Sequence, residues 1–151
     1  MNELYYFFGF WKNLRGEEGI SLKTKNKKKL RIFEKFARKL GQEKFMKKPY
    51  GLLFYNSKLK KTLKKLEEKE EKIFKEKNER TKAFLQGLYD ATAKEKEGKL
   101  YLKLTLKDAI VIQRLGFKVL EDKLGFYIFS KEDFLGFINR SLEWENEKWK
   151  E

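Results

Sequence analysis

The stretch that decides the fold is AFLQGLYDATA, residues 83–93. Its small residues Ala83, Gly87 and Ala91 are spaced four positions apart, so on a helix they form one line. A glycine inside a helix is unfavourable unless close packing requires it. The stretch therefore predicts a helix that a second helix approaches closely. The alternative is an ordinary buried helix with one tolerated glycine.

The expected partner lies near the start of the chain, where LYYFFGFW (residues 4–11) forms another apolar segment with a glycine inside it. Two glycine-bearing apolar helices, one opening each half of the chain, are expected to pack against each other. The predicted helix interface comprises Gly9, Ala83, Gly87 and Ala91.

The amino-acid composition indicates a protein with a packed core and excludes several kinds of metal and catalytic site. The 151 residues are 40% hydrophobic and 16% aromatic, enough for a packed core in one domain or two fused halves. The absence of cysteine and histidine excludes disulfides, thiolate or imidazole metal sites, and Ser-His or Cys-His catalysis. The richness in lysine and glutamate is typical of thermophile proteins. The longest apolar run is too short to span a bilayer and has no cationic leader, so a soluble, cytoplasmic protein is expected.

The charge balance is strongly basic, with a formal net charge of +14. Residues 22–48 contain 12 Lys or Arg and two acidic residues, a local excess of +10. Such an excess favours an anionic partner, and nucleic acid is expected rather than a membrane because no cationic amphipathic helix has a large free apolar face. The alternative is a solvated face that keeps the protein soluble.

The predicted elements occur twice. Each half has a glycine-bearing helix, a basic-faced strand (residues 20–26 and 99–107), a helix ending in Leu-Gly, two strands around a turn, and a closing helix. In the first half only one strand of the first hairpin is evident, and a charged helix over 58–77 connects the halves. The last helix begins near Ser130, with apolar positions extending to Leu142 and Trp149.

This order, together with FLQGLYDATA, resembles the LAGLIDADG homing endonuclease family. The resemblance implies an α+β fold made of a pseudo-twofold pair of αββαββα halves, residues 1–77 and 78–151, with the central helices packed together. It also implies that the sheets form a basic saddle on duplex DNA. The expected state is a monomer with internal pseudo-symmetry.

In that family an acidic residue at the end of each signature helix holds divalent metal. The corresponding positions here are Thr92 and Leu14. The weak catalytic candidates are Glu17, Glu18 and Asp90. Glu17 and Glu18 follow the expected position, Leu14, by a few residues. Asp90 precedes Thr92 by two residues and therefore points roughly 200° away from it around the helix. No metal site and no cofactor are therefore expected, and Mg²⁺ would be needed only if nuclease activity is retained.

The resulting hypothesis is a DNA-binding protein that has lost the metal-binding acids, with a regulatory, architectural or nucleoid-associated role. The alternatives are an active Mg²⁺-dependent endonuclease that uses Glu17 or Glu18 with Asp90, and an RNA-binding basic protein. The candidate nucleic-acid-binding residues are the basic and hydroxyl-bearing side chains of the predicted strands and the residues that follow the first of them: Lys23, Lys25, Lys27, Lys28, Lys29, Lys99, Tyr101, Lys103, Thr105 and Lys107.

Overall fold

The computed structural model describes residues 2–141, and within them the chain is an α+β protein with seven helices and two small antiparallel sheets. Leu142 and Trp149, predicted as apolar positions of the last helix, lie outside the described residues.

The first half contains α1 (Glu3–Lys12), β1 (Ile20–Lys23), α2 (Lys27–Lys39), β2 (Met46–Lys48), β3 (Gly51–Phe54), α3 (Ser57–Glu68) and α4 (Glu70–Ile73). The second half contains α5 (Glu79–Thr92), β4 (Lys94–Lys96), β5 (Lys99–Tyr101), α6 (Leu106–Arg114), β6 (Val119–Asp122), β7 (Gly125–Ile128) and α7 (Lys131–Ile138).

The two sheets have closely related strand orders. The first is β1-β3-β2 and the second is β4-β5-β7-β6, with antiparallel pairing throughout. A single antiparallel bridge between Arg15 and Leu22 lies beside β1, where β4 lies beside β5 in the second sheet. The first hairpin of the first half is therefore reduced to one bridge, which explains why its sequence shows only one strand.

Helices α1 and α5 cross with almost no space between their backbones. A Cβ atom built on Gly9 would lie 2.1 Å from the Phe84 carbonyl oxygen. A Cβ atom on Gly87 would lie 2.3 Å from the Tyr6 carbonyl oxygen and 2.6 Å from the Phe10 nitrogen. Real side chains essentially never approach backbone atoms so closely, so both positions require glycine.

Aromatic side chains fill the core around this crossing. The rings of Phe74 and Phe84 are parallel, with centroids 4.1 Å apart, and Phe8 stacks on Phe84 at 5.6 Å. On the other side, Phe7 packs on Phe33 and Phe54. The side of α1 away from α5 therefore contacts α2 and the first sheet.

Local signals set the helix starts. Asn26, Asn56 and Asn78 each accept a hydrogen bond from the backbone N–H three residues later, which satisfies an otherwise unpaired helical donor. Thr105 and Asp108 form a capping box at the start of α6.

Three predicted elements are wrong in extent. The strand predicted over 20–26 ends at Lys23, because Asn26 caps α2. The strand predicted over 99–107 ends at Tyr101, because the Thr105 capping box starts α6 at Leu106, whose side chain is 69% exposed rather than buried. The connector helix predicted over 58–77 ends at Glu68, and a short helix follows at Glu70–Ile73.

The crossing yields a stability prediction. Gly87→Ala places a Cβ against backbone atoms of α1, so the helices must move apart and unfolding should become easier by about 2 kcal/mol or more. The measurement is chemical denaturation of both proteins. The matched control is Gly136→Ala on α7, where an added Cβ meets no atom within 4 Å and stability should stay level or rise by about 0.5–1 kcal/mol. Equal effects of the two substitutions would contradict the close crossing.

Candidate nucleic-acid interface

The carboxyl end of α1 carries a buried charge cluster. The Lys12 ammonium lies 2.6 Å from Asp108 Oδ1 and 3.0 Å from Glu70 Oε1, and all three side chains are buried. The Asn13 amide donates to Asp108 Oδ2 at 2.9 Å and to the Lys103 carbonyl oxygen at 2.7 Å. A lysine thus occupies the space between two carboxylates from α4 and α6.

The two carboxyl groups of this cluster have opposite pKa shifts. Burial, together with the hydrogen bond and charge of Asp108, raises the pKa of Glu70 to about 8. Burial alone would raise the pKa of Asp108, but the hydrogen bond with Glu70 and the Lys12 charge lower it below its ordinary value. At neutral pH the cluster therefore holds one ion pair, Lys12 with Asp108, and a protonated Glu70. It carries no excess negative charge to attract a divalent cation.

The end of α5 has no acidic residue at the corresponding point. The Thr92 hydroxyl donates to the Leu88 carbonyl oxygen at 2.9 Å and accepts the Lys103 N–H at 3.1 Å. Both of these bonds are structural, since one lies within the helix and the other joins it to the segment after β5.

Asp90, a weak catalytic candidate, is fully buried on α5. It accepts a hydrogen bond from the Tyr6 hydroxyl at 2.6 Å and two from the Arg140 guanidinium at 2.9 and 3.0 Å. Its charge is therefore neutralised within the protein. Asp90 joins the two central helices to the segment after α7.

The other weak candidates, Glu17 and Glu18, lie exposed in the loop between α1 and β1, and Glu18 accepts a hydrogen bond from the Tyr55 hydroxyl. Glu18 and Asp90 thus have separate surroundings and separate partners. Across residues 2–141, no three Asp or Glu side chains are grouped in a way that could hold a metal ion.

The second sheet has a buried face, formed by residues such as Leu100 and Ile128, and a face directed away from the core, which we term the outer face of the second sheet. Strand pairing aligns Lys94 with Tyr101, Tyr101 with Tyr127, and Tyr127 with Leu120 on that face. By alternation, the outer face of the second sheet carries Lys94, Lys96, Lys99, Tyr101, Lys118, Leu120, Asp122, Tyr127 and Phe129.

Lysines and aromatic rings are interleaved on this face. The Lys99 ammonium lies 4.7 Å from the centre of the Tyr127 ring, and the Lys118 ammonium lies 5.3 Å from that of Phe129. Phe129 is 63% exposed. This combination of cations and accessible rings is typical of nucleic-acid-binding surfaces.

The one acidic side chain on the outer face of the second sheet, Asp122, is hydrogen-bonded to neighbouring side chains. Asp122 accepts hydrogen bonds from the Tyr101 hydroxyl at 2.7 Å and the Lys99 ammonium at 3.2 Å. The bond from Tyr101 is the main cause of a lowered pKa at Asp122, and it raises the pKa of Tyr101 to about 12. In the described part of the chain, Lys94, Lys96 and Lys118 form no ion pair, so their charges face solvent.

The outer face of the first sheet is less basic. Lys23 and Lys48 flank Gly51 in register, and Ser21, Leu53 and Met46 lie on the same face. Of the other predicted residues in this half, Lys25 and Lys27 line a groove beside α2, and Lys28 and Lys29 are half-buried in the first turn of that helix.

The structure separates several residues that were expected on one strand. Tyr101 is only 9% exposed, Thr105 caps α6, and the Lys107 ammonium, on α6, donates to the Glu67 carbonyl oxygen at 3.3 Å. Lys103 is exposed in the loop before α6. The predicted continuous face from Lys99 to Lys107 is therefore wrong: α6 begins where the strand was expected to continue.

On the outer face of the second sheet, sequence reasoning predicted only Lys99 and Tyr101. It missed three lysines and two aromatic residues: Lys94, Lys96, Lys118, Tyr127 and Phe129. Lys94 and Lys96 fall in the segment KEKEG (residues 94–98), whose charged residues and final glycine are typical of a turn. Glu97 and Gly98, with φ of 54° and 78°, form the two-residue loop of a hairpin in which Lys96 pairs with Lys99. Alternating lysines before a Gly-containing loop were the available signal for that strand.

Comparison of the chain with protein-family models, with curated proteins and with solved structures returns no match. Among the described helices, none is both long and apolar enough to cross a membrane.

The Glu70 environment yields a pH prediction. The folded protein binds the Glu70 proton more tightly than the unfolded chain does, so protonation of Glu70 stabilises the folded state. This contribution to the unfolding free energy is complete below pH about 4.5 and is lost as the pH rises through about 8. Between pH about 5 and 9, the unfolding free energy of the native protein should fall by about 2–4 kcal/mol more than that of Glu70→Gln. Urea denaturation at several pH values measures this difference.

The matched control is Glu68→Gln, which neutralises an exposed glutamate two residues away. Its pH dependence should follow that of the native protein. Identical pH profiles for the native protein and Glu70→Gln would show that Glu70 is ionised normally in the folded state.

Proposed function

We propose that this protein binds duplex DNA through the lysine-bearing outer faces of its sheets and does not cleave it. The observation that carries the proposal is the outer face of the second sheet, where Lys94, Lys96 and Lys118 have no acidic partner among the described residues. Lysines neutralise phosphates and release counterions without specifying sequence. A narrow ribbon of antiparallel strands also fits the major groove of DNA.

The proposed architecture is LAGLIDADG-like, with two αββαββα halves related by an internal twofold axis. Three observations support it. The sheets have matching strand orders once the Arg15–Leu22 bridge is counted as a strand. The glycine-bearing helices α1 and α5 open the two halves, and Gly9 and Gly87 lie at their crossing. Under this symmetry, Lys23 and Lys48 would extend the basic surface of the second sheet.

Binding without cleavage is supported by the chemistry at the helix ends. Phosphodiester hydrolysis by a hard cation requires carboxylates that are available as ligands. Here Asp108 is paired with Lys12, Glu70 has a raised pKa, and Asp90 is neutralised by Arg140. Asp108, Glu70 and Asp90 therefore stabilise the fold rather than serving as metal ligands, and the role proposed for the DNA-bound protein is regulatory or architectural.

A second candidate function is binding of single-stranded nucleic acid, including RNA. The observation that favours it is the exposed Phe129 ring beside Lys118, with Tyr127 on the same face. Unstacked bases can lie on such rings, each stack contributing about 1–3 kcal/mol.

The direct test of duplex binding is a titration with a short DNA duplex at several salt concentrations, with and without Mg²⁺. Lys96→Ala with Lys118→Ala should weaken binding and reduce the slope of log affinity against log salt by about one unit for each phosphate that the variant no longer neutralises. The control, Lys60→Ala with Lys61→Ala, removes the same charge from the exposed side of α3 and should change the slope little. Unchanged binding in the Lys96 and Lys118 variant, or cleavage in Mg²⁺, would refute the proposal.

Phe129→Ala separates the two candidates. If bases stack on the ring, affinity for a single-stranded oligonucleotide should fall by about 1–3 kcal/mol. If duplex backbone contacts dominate, duplex affinity should change by less than about 1 kcal/mol, and the native protein should prefer duplex in competition. A native preference for single strands that Phe129→Ala abolishes would establish the second candidate instead.

A further inference from the structure

A separate positively charged groove lies in the first half of the molecule, between α2 and the β2–β3 hairpin. Its volume is about 490 Å³, within the range of sites for small molecules. Three apolar residues, Leu30, Pro49 and Leu52, contribute to its lining. The cations that line it come from three parts of the fold, namely the β1–α2 connection, α2 and the hairpin: Lys25, Lys27, Arg31, Lys47 and Lys48.

The charge of this groove is not balanced within the protein. The one acidic residue in its lining, Glu34, forms an ion pair with Arg38 at 3.0 Å, so its charge is shared with a cation outside the groove. Within residues 2–141, none of the five lining cations forms an ion pair. Like charges held around one groove repel each other, and an anion placed among them removes that repulsion.

We propose that this groove binds adjacent phosphate groups, either of a free polyphosphate or of a nucleic-acid backbone. Five cations on three elements match a ligand with several negative charges better than a single carboxylate. Arg31 can hold two phosphate oxygens at once, while the lysines act as point charges around it. The apolar lining from Leu30, Pro49 and Leu52 leaves room for the uncharged part of a nucleotide. The inference goes beyond the proposed function, because the groove shares only Lys48 with the sheet residues proposed there to bind duplex DNA.

The test uses the full chain and sodium tripolyphosphate, titrated by calorimetry. Arg31→Gln with Lys47→Gln removes one cation from α2 and one from the hairpin, and it should weaken binding about tenfold or more. Lys60→Gln with Lys61→Gln on α3 removes the same charge and should leave the affinity within about twofold. Circular dichroism of each variant checks that it is folded.

Amide chemical shifts locate the bound ligand independently of any variant. Tripolyphosphate should shift the amides of Thr24, Leu30 and Gly51, which line the groove, and leave those of the second sheet unchanged. Absence of saturable binding, equal weakening in the two variants, or shifts confined to other surfaces would each overturn the proposal.

Two further experiments distinguish a nucleic-acid backbone from a free polyphosphate as the ligand of the groove. If the groove holds nucleic-acid backbone, tripolyphosphate will compete with a DNA duplex, and the Arg31 and Lys47 variant will bind duplex more weakly. If the ligand is a free polyphosphate, that variant will bind duplex as the native protein does. The Lys96 and Lys118 variant, titrated with duplex in parallel, reports on the second sheet alone, so failure of the proposed function is distinguishable from failure of this inference.

Discussion

The close approach of α1 and α5 is the constraint on which the rest of the structure depends. It requires glycine at both Gly9 and Gly87, because a methyl group at either position would overlap backbone of the other helix. The first sheet contacts α1 through Phe54 and Phe7, and the segment after β5 is hydrogen-bonded to Thr92 at the end of α5. A shift at the crossing would therefore move one sheet relative to the other. Asp90 reinforces the contact by binding Tyr6 of α1 and Arg140.

Charged side chains of two kinds occur in this protein: some form buried ion pairs that stabilise the fold, and others face solvent, where a partner can contact them. Lys12 is a buried cation whose charge is compensated by Asp108, and burial without that partner would be costly. On the outer face of the second sheet, Lys94, Lys96 and Lys118 are instead left without acidic partners among the described residues, as are the lysines of the groove beside α2. We therefore expect anions to bind at the outer face of the second sheet and in the groove beside α2. The ion pairs near the ends of α1 and α5 instead stabilise the fold.

Sequence patterns were informative where local chemistry and packing agree. The spacing of Ala83, Gly87 and Ala91 indicated a close helix contact, and Gly87 lies at one. The β5 strand was overextended because alternating leucines continue past Tyr101, whereas the Thr105 capping box starts a helix. The Lys12–Asp108–Glu70 cluster was not predictable, since its members are far apart in sequence and only the tertiary fold brings them together.

The measurement that tests the central claim most directly is lysine footprinting, in which acetylation of each lysine is quantified with and without bound DNA duplex. Binding through the sheets predicts protection of Lys94, Lys96 and Lys118, while the exposed lysines of α3, such as Lys60 and Lys61, stay fully reactive. Protection of the α3 lysines with an unprotected second sheet would contradict the account, because the nucleic acid would then lie on other elements of the fold.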